Sequence, residues 1–193
     1  MLERNKAFAE SEKLYREILV SEPDHPEARH RLGVVLLRTE QIDQAIKCLS
    51  DAVQQGDPST GLLGDLGYAQ MLAGDLPAAE QTLRTAVEAA PDNERIVNNL
   101  GMVVGFQGNT EESLALFRRV NNESEAQSNL AFVLSGLGKL DDAKDRYHQA
   151  LNRDPKLKQA ARGLAEFHRT FEAANKSNSP APRNSKSSRS PLQ

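Results

Sequence analysis

Few residues in this chain have the type and spacing that chemistry at a site requires. The four histidines (His25, His30, His148 and His168) are scattered, and none forms the i, i+4 helical pair, with its glutamate, that holds zinc in a protease. Asp141, Asp142 and Asp145 cluster, but not at calcium-loop spacing; near a helix start they complement the positive end of the helix. Gly136-Leu137-Gly138-Lys139 resembles part of a phosphate loop, yet Val133 stands where the first glycine belongs and Leu140 where Ser or Thr is needed. The lone cysteine, Cys48, excludes an internal disulfide, and nothing nearby marks it as a nucleophile. Two sequons, at Asn122 and Asn175, need an export route to matter, and the Ser179-Pro180 and Ser190-Pro191 pairs are what a Ser/Pro-rich tail contains anyway. We expect no catalytic residue, no metal and no cofactor; the chain is not read as an enzyme.

The elements that would position any site announce themselves by repetition. Leu-Gly or Leu-Ala recurs at Leu32, Leu66, Leu100, Leu130 and Leu164, in steps of 34, 34, 30 and 34 residues. A small residue keeps the same phase at Ser11, Ala45, Ala79, Ser113 and Ala143, and a large one follows at Tyr15, Leu49, Leu83, Phe117 and Tyr147. In one unit, Leu62, Leu63, Leu66, Ala69 and Leu72 mark one face of a helix, Gly74 interrupts at a turn, and Ala79, Leu83, Ala86 and Val87 mark a second helix that ends before Pro91. Each unit is helix, turn, helix, turn. A period in this range makes a stacked solenoid, all-α, whose long surface suits binding better than catalysis.

The pattern Leu-Gly, then Gly with a polar neighbour at the turn, then Ala, a large residue, Ala and Pro resembles the tetratricopeptide repeat (TPR) family. Its fullest instance runs from Asn129-Leu130-Ala131 through Gly138-Lys139-Leu140, Ala143, Tyr147 and Ala150 to Asp154-Pro155. The resemblance covers roughly residues 6–169 and implies a right-handed superhelix whose first helices line a concave groove. It further implies that the residue before each conserved leucine faces that groove: Arg31, Asp65, Asn99 and Asn129. One turn on come Val34, Tyr68, Met102 and Phe132. Asparagine carries both donor and acceptor, so Asn99 and Asn129 are the expected readers of an extended peptide backbone. The family's chaperone-binding members grip a terminal carboxylate with Lys, Asn and Arg. Here His30 and Val34 stand where Lys and Asn would be needed, and Asp65 puts a negative charge where the next Asn belongs, so that ligand is not expected.

Three departures shape the domain organisation. Residues 1–25 read as half a repeat, a second helix without a first, which leaves Leu14, Tyr15 and Ile18 half uncovered. Either the start is misplaced or the chain is a fragment; self-association through this helix is the alternative. Complete repeats follow at about 26–59, 60–93, 94–123 and 124–157. The third of these is four residues short, with Asn121-Asn122 ending one helix and Ser124 to Gln127 expected to form the capping box of the next. Residues 157–172 form a polar capping helix, and 173–193 a disordered basic tail rich in Ser, Pro and Asn.

Charge separates these regions. The net −3 is made of +4 on the tail and −7 on residues 1–172, so no basic stripe for nucleic acid exists. No membrane insertion is expected and no export signal is visible, which makes the cytoplasm the default; a missing signal peptide would move the protein to the periplasm or outer membrane. The expected partner is a protein or peptide. The stretch from Phe117 to Leu134, with its shortened linker, resembles the TadD-like TPR proteins of tight-adherence (Flp) pilus assembly, which implies a role in pilus assembly or secretion. A cytoplasmic adaptor unrelated to pili, or the non-catalytic repeats of a larger protein such as a glycosyltransferase, are the alternatives.

Overall fold

The computed structural model describes residues 2–56 and 58–177, and among them it contains ten helices and no strand. They are α1 (Leu2–Ser21), α2 (Pro26–Arg38), α3 (Ile42–Gln54), α4 (Thr60–Leu72), α5 (Leu76–Ala89), α6 (Glu94–Phe106), α7 (Thr110–Val120), α8 (Glu123–Gly136), α9 (Leu140–Arg153) and α10 (Lys158–Ser177). Short polar side chains start many of them: Ser59, Asp75, Asn93 and Asn109 each accept a hydrogen bond from the backbone N–H three residues on. Each such cap stabilises its helix by about 1 kcal/mol. No helix among the described residues is long and apolar enough to cross a membrane.

Within each pair, the glycine after the conserved leucine receives the large side chain sixteen residues later. A methyl group on Gly33 would come within 2.6 Å of Leu49, on Gly67 within 2.5 Å of Leu83, and on Gly101 within 2.6 Å of Phe117. Leu49, Leu83 and Phe117 are fully buried there. The small residue early in the second helix permits the same approach, and Ser113 Oγ donates to the Gly101 carbonyl at 2.7 Å. In the last complete pair Ala131 replaces glycine; Tyr147 shares a buried cluster with it and also lays its ring against Gly163 of the next helix.

The pairs then stack. The backbones of α2 and α4, α4 and α6, α6 and α8, and α8 and α10 come close, whereas those of α3, α5, α7 and α9 stay apart from one another, with Arg84 of α5 reaching Glu112 of α7 through its side chain at 2.7 Å. First helices therefore lie on the inner side of the curve. The shortened unit shows in α7, at 11 residues against 13 or 14 in α3, α5 and α9. α6 and α8 are the most closely packed of the first-helix pairs.

Two expectations need correction. The capping box lies two residues earlier than expected: Asn122 accepts from the Glu125 N–H at 3.0 Å, and Glu125 Oε2 accepts from the Asn122 N–H at 3.2 Å. Asparagine caps as well as serine, and Ser124 is already buried inside the helix. The last helix also continues to Ser177, because Ala173, Ala174 and Lys176 are good helix formers and no Gly or Pro interrupts them. The rest of the proposed tail, from residue 178, lies outside the described residues. Beside the corrected box, the Arg118 guanidinium and then the Gln127 amide hold the Glu123 carboxyl down to about 2.

Three of the four turns inside pairs place glycine in the left-handed region, Gly74 (φ 82), Gly108 (φ 99) and Gly138 (φ 73), but the first uses Glu40 (φ 62). A side chain there costs about 1–2 kcal/mol, partly offset because glycine makes the unfolded chain more flexible. Glu40→Gly should therefore stabilise the protein by about 1 kcal/mol in urea denaturation. Gly67→Ala should destabilise it by about 1–3 kcal/mol, and by less in a Leu83→Ala background, because the added methyl then meets no leucine.

Candidate functional site

The inner faces of the first helices form a groove with three distinct stretches. At the N-terminal end, a cavity of about 330 Å³ is lined by Val34, Leu37 and Arg38 of α2, Asp65, Tyr68 and Leu72 of α4, and Arg95 and Asn99 of α6. Asp65 is its electrostatic centre. It accepts from His30 Nε2 at 2.8 Å and from Arg95 Nη1 at 2.6 Å, so one carboxylate ties α2, α4 and α6 together. Burial pushes the Asp65 carboxyl up, but His30 and Arg95 together hold it below the ordinary carboxylate value. The negative charge foreseen at this place is thus already balanced.

Asn99 is only 6% exposed, and among the described residues its amide has no hydrogen-bond partner. Among the described residues the buried side-chain atoms without a partner are Arg29 Nε, Gln70 Oε1 and Ser128 Oγ, so the Asn99 amide is not cut off from solvent but opens onto the cavity. The Tyr68 hydroxyl and the Arg38 guanidinium also make no hydrogen bond or ion pair among the described residues.

The middle stretch is a cavity of about 260 Å³ whose lining includes Asn98, Met102, Asn121, Asn129 and Gln159. Its amides are joined to one another. Asn121 Nδ2 donates to Asn98 Oδ1 at 2.7 Å, Asn129 Nδ2 donates to the same oxygen at 3.3 Å, and Gln159 Nε2 donates to Asn129 Oδ1 at 2.7 Å. The C-terminal stretch is apolar, a cavity of about 390 Å³ whose lining includes Phe132, Leu140, Tyr147 and Phe167. Phe132 meets Phe106 edge to face, with ring centroids 6.2 Å apart.

The structure therefore distributes the expected groove residues. Asp65, Tyr68 and Asn99 share one cavity, Met102 and Asn129 another, and Phe132 lines a third. Asn99 and Asn129 are not brought into one cavity. Arg31 lies outside all three, exposed and paired with Glu27 at 2.7 Å. Arg38, Leu72 and Arg95 were not foreseen, yet each is one helical turn from a residue that was: Val34, Tyr68 and Asn99. Asn98 gave no such signal, because the phase picks only the residue next to the leucine. Away from the groove, burial pushes the Cys48 thiol up, as in an unreactive cysteine. No cluster of three metal-ligating side chains exists among the described residues.

Since the folded-state value of Asp65 is depressed, its contribution to stability is present above the ordinary carboxylate pKa and is lost as pH falls through its own lower value. Arg95→Gln should cost about 1 kcal/mol at pH 7, a modest amount because the guanidinium is half exposed. The gap between variant and wild type should close as the pH is lowered below 4, measured by urea denaturation at each pH.

Comparison with known proteins agrees with this geometry. The tetratricopeptide repeat profile matches residues 2–60, 30–94 and 65–126, which overlap into a continuous span of more than half the chain. A curated relative, Protein POLLENLESS 3-LIKE 2 of Arabidopsis thaliana, is 40% identical over 62 residues, 32% of this chain; the match spans only 14% of that protein. Among solved structures, YrrB, described as a TPR protein with an unusual peptide-binding site, superposes with a TM-score of 0.65 at 19% identity, over 83% of this chain and 85% of that one. A tetratricopeptide repeat protein from Parabacteroides merdae gives a TM-score of 0.68 at 13% identity, over 90% of this chain and 70% of that one. At such identities the likeness is one of fold, and it joins the profile match in a single conclusion: this chain belongs to the tetratricopeptide repeat family.

Proposed function

We propose that this protein is an interaction scaffold that holds an extended segment of a partner protein along the inner faces of α2, α4, α6, α8 and α10. Tetratricopeptide repeats generally mediate protein–protein interaction, and YrrB is described as having a peptide-binding site. The observation that carries the reading here is Asn99. Its amide opens onto the groove with a donor and an acceptor that no other side chain among the described residues occupies, and a peptide backbone can pair with both. We assign the chain no reaction. The finer placement in Flp-type pilus assembly or secretion rests on the single stretch from Phe117 to Leu134, and the identity of the partner decides it.

Asn99→Leu removes the amide at nearly constant volume. Stability should hold or rise, while affinity for the partner segment should fall roughly 5–30-fold, the effect of losing about 1–2 kcal/mol of hydrogen bonding. Crosslinking with mass spectrometry in cells, comparing wild type with Asn99→Leu/Asn129→Ala, checks this. An unchanged set of crosslinked partners would remove the groove reading.

A further inference from the structure

We propose that the cavity between α2, α4 and α6 takes an acidic side chain, Asp or Glu, carried inside an extended partner segment beside a large apolar side chain. This rests on the groove reading above and names the chemistry of its N-terminal stretch. The first observation is charge. Asp65 and Arg95 cancel within their ion pair, and His30 completes the hydrogen bonding of that carboxylate. Arg38 then remains as an uncompensated cation at the cavity wall, without an ion pair or hydrogen bond among the described residues. At contact an isolated guanidinium favours a carboxylate, which it can grip with two parallel hydrogen bonds, and disfavours a lysine or arginine; the −7 of residues 1–172 opposes an acid only at longer range, where salt screens it.

The second observation is the wall beside that charge. Tyr68 and Leu72 rank among the exposed large hydrophobic residues of the described chain, 36% and 46% exposed, and they lie with Leu37 in the same cavity. The volume of about 330 Å³ is at the low end of ligand pockets and suits one large apolar side chain with a small charged neighbour. The third observation suits an acid carried within a continuing chain. The unpaired Asn99 amide offers a donor and an acceptor together, which matches the N–H and C=O of a continuing backbone. A terminal carboxylate has no donor to return.

The test uses the full chain, immobilised, and a positional-scanning library of N-acetylated, C-amidated octapeptides. Wild type should enrich Asp or Glu at one position and Leu or Phe within two residues of it. Arg38→Gln changes an exposed side chain, and a thermal melt confirms that it folds; it should lose the acidic enrichment by about fivefold or more while keeping the apolar one. Arg38→Glu should shift the charged position to Lys or Arg. Enrichment that depends on Asn99 but shows no acidic preference, or an acidic preference that survives Arg38→Gln, overturns this inference and leaves the groove reading standing. Stronger binding of matched peptides with a free C-terminal carboxylate overturns it by assigning Arg38 to a chain end. No enrichment by wild type overturns both.

Discussion

The structure depends on one contact made again in three of the four complete repeats: a large side chain of the second helix seated on the bare backbone of the first. Burying a leucine or phenylalanine contributes about 1.5–3 kcal/mol, while a glycine inside a helix costs roughly 1 kcal/mol relative to alanine, so the exchange favours the fold only where the seat is filled. Leu49 on Gly33, Leu83 on Gly67 and Phe117 on Gly101 fill it. The chain can therefore build a core with no tryptophan and 5% aromatic residues, because each core unit is one helix pair thick. Stability becomes a sum over neighbouring pairs, as in other solenoids.

That contact also decides where function can reside. The large side chains and the small residues facing them lie between the two helices of a pair, and the first helices touch only along the inner curve. Side chains on the open inner face, such as Tyr68 and Phe132, are excused from core packing and left 36% and 52% exposed. Arg38, Tyr68, Asn99 and Phe132 differ from repeat to repeat while the leucines, glycines and alanines beneath them recur. One architecture thus presents a charged cavity at one end and an apolar one at the other.

The helices, the turns and the inner face were legible because each follows from a residue type at a fixed phase. What escaped was the result of side chains reaching across repeats. The sequence shows Asp65 as a lone negative charge on the inner row. Its neutralisation needs Arg95, thirty residues away, and His30, thirty-five away, and no periodicity in a single chain links them. Asn129 looked like a free reader in phase with Asn99, but it is bonded on both sides by Asn98 and Gln159. The capping box was misplaced by two residues because Ser124 and Asn122 are chemically equivalent caps; the burial of Ser124 decides between them. Tyr147 kept its phase and packs in one cluster with Ala131, but its ring also lies against Gly163 of the next helix, a contact no phase rule shows.

The shortened unit explains why the two asparagines differ. With α7 closing at Val120, Asn121 falls at the inner edge of the stack, where it donates to Asn98 as well as to the Phe117 carbonyl that ends its own helix. Asn98 then accepts from Asn129, so the middle of the groove satisfies its amides internally, across the closely packed α6 and α8. No equivalent residue reaches into the cavity between α2, α4 and α6, and there Asn99 stays unpaired. The shortened unit thus makes the middle of the groove a splint between repeats, its amides bonded to one another. At the N-terminal cavity, by contrast, an unpaired amide, an unpaired guanidinium and a part-exposed aromatic ring lie together.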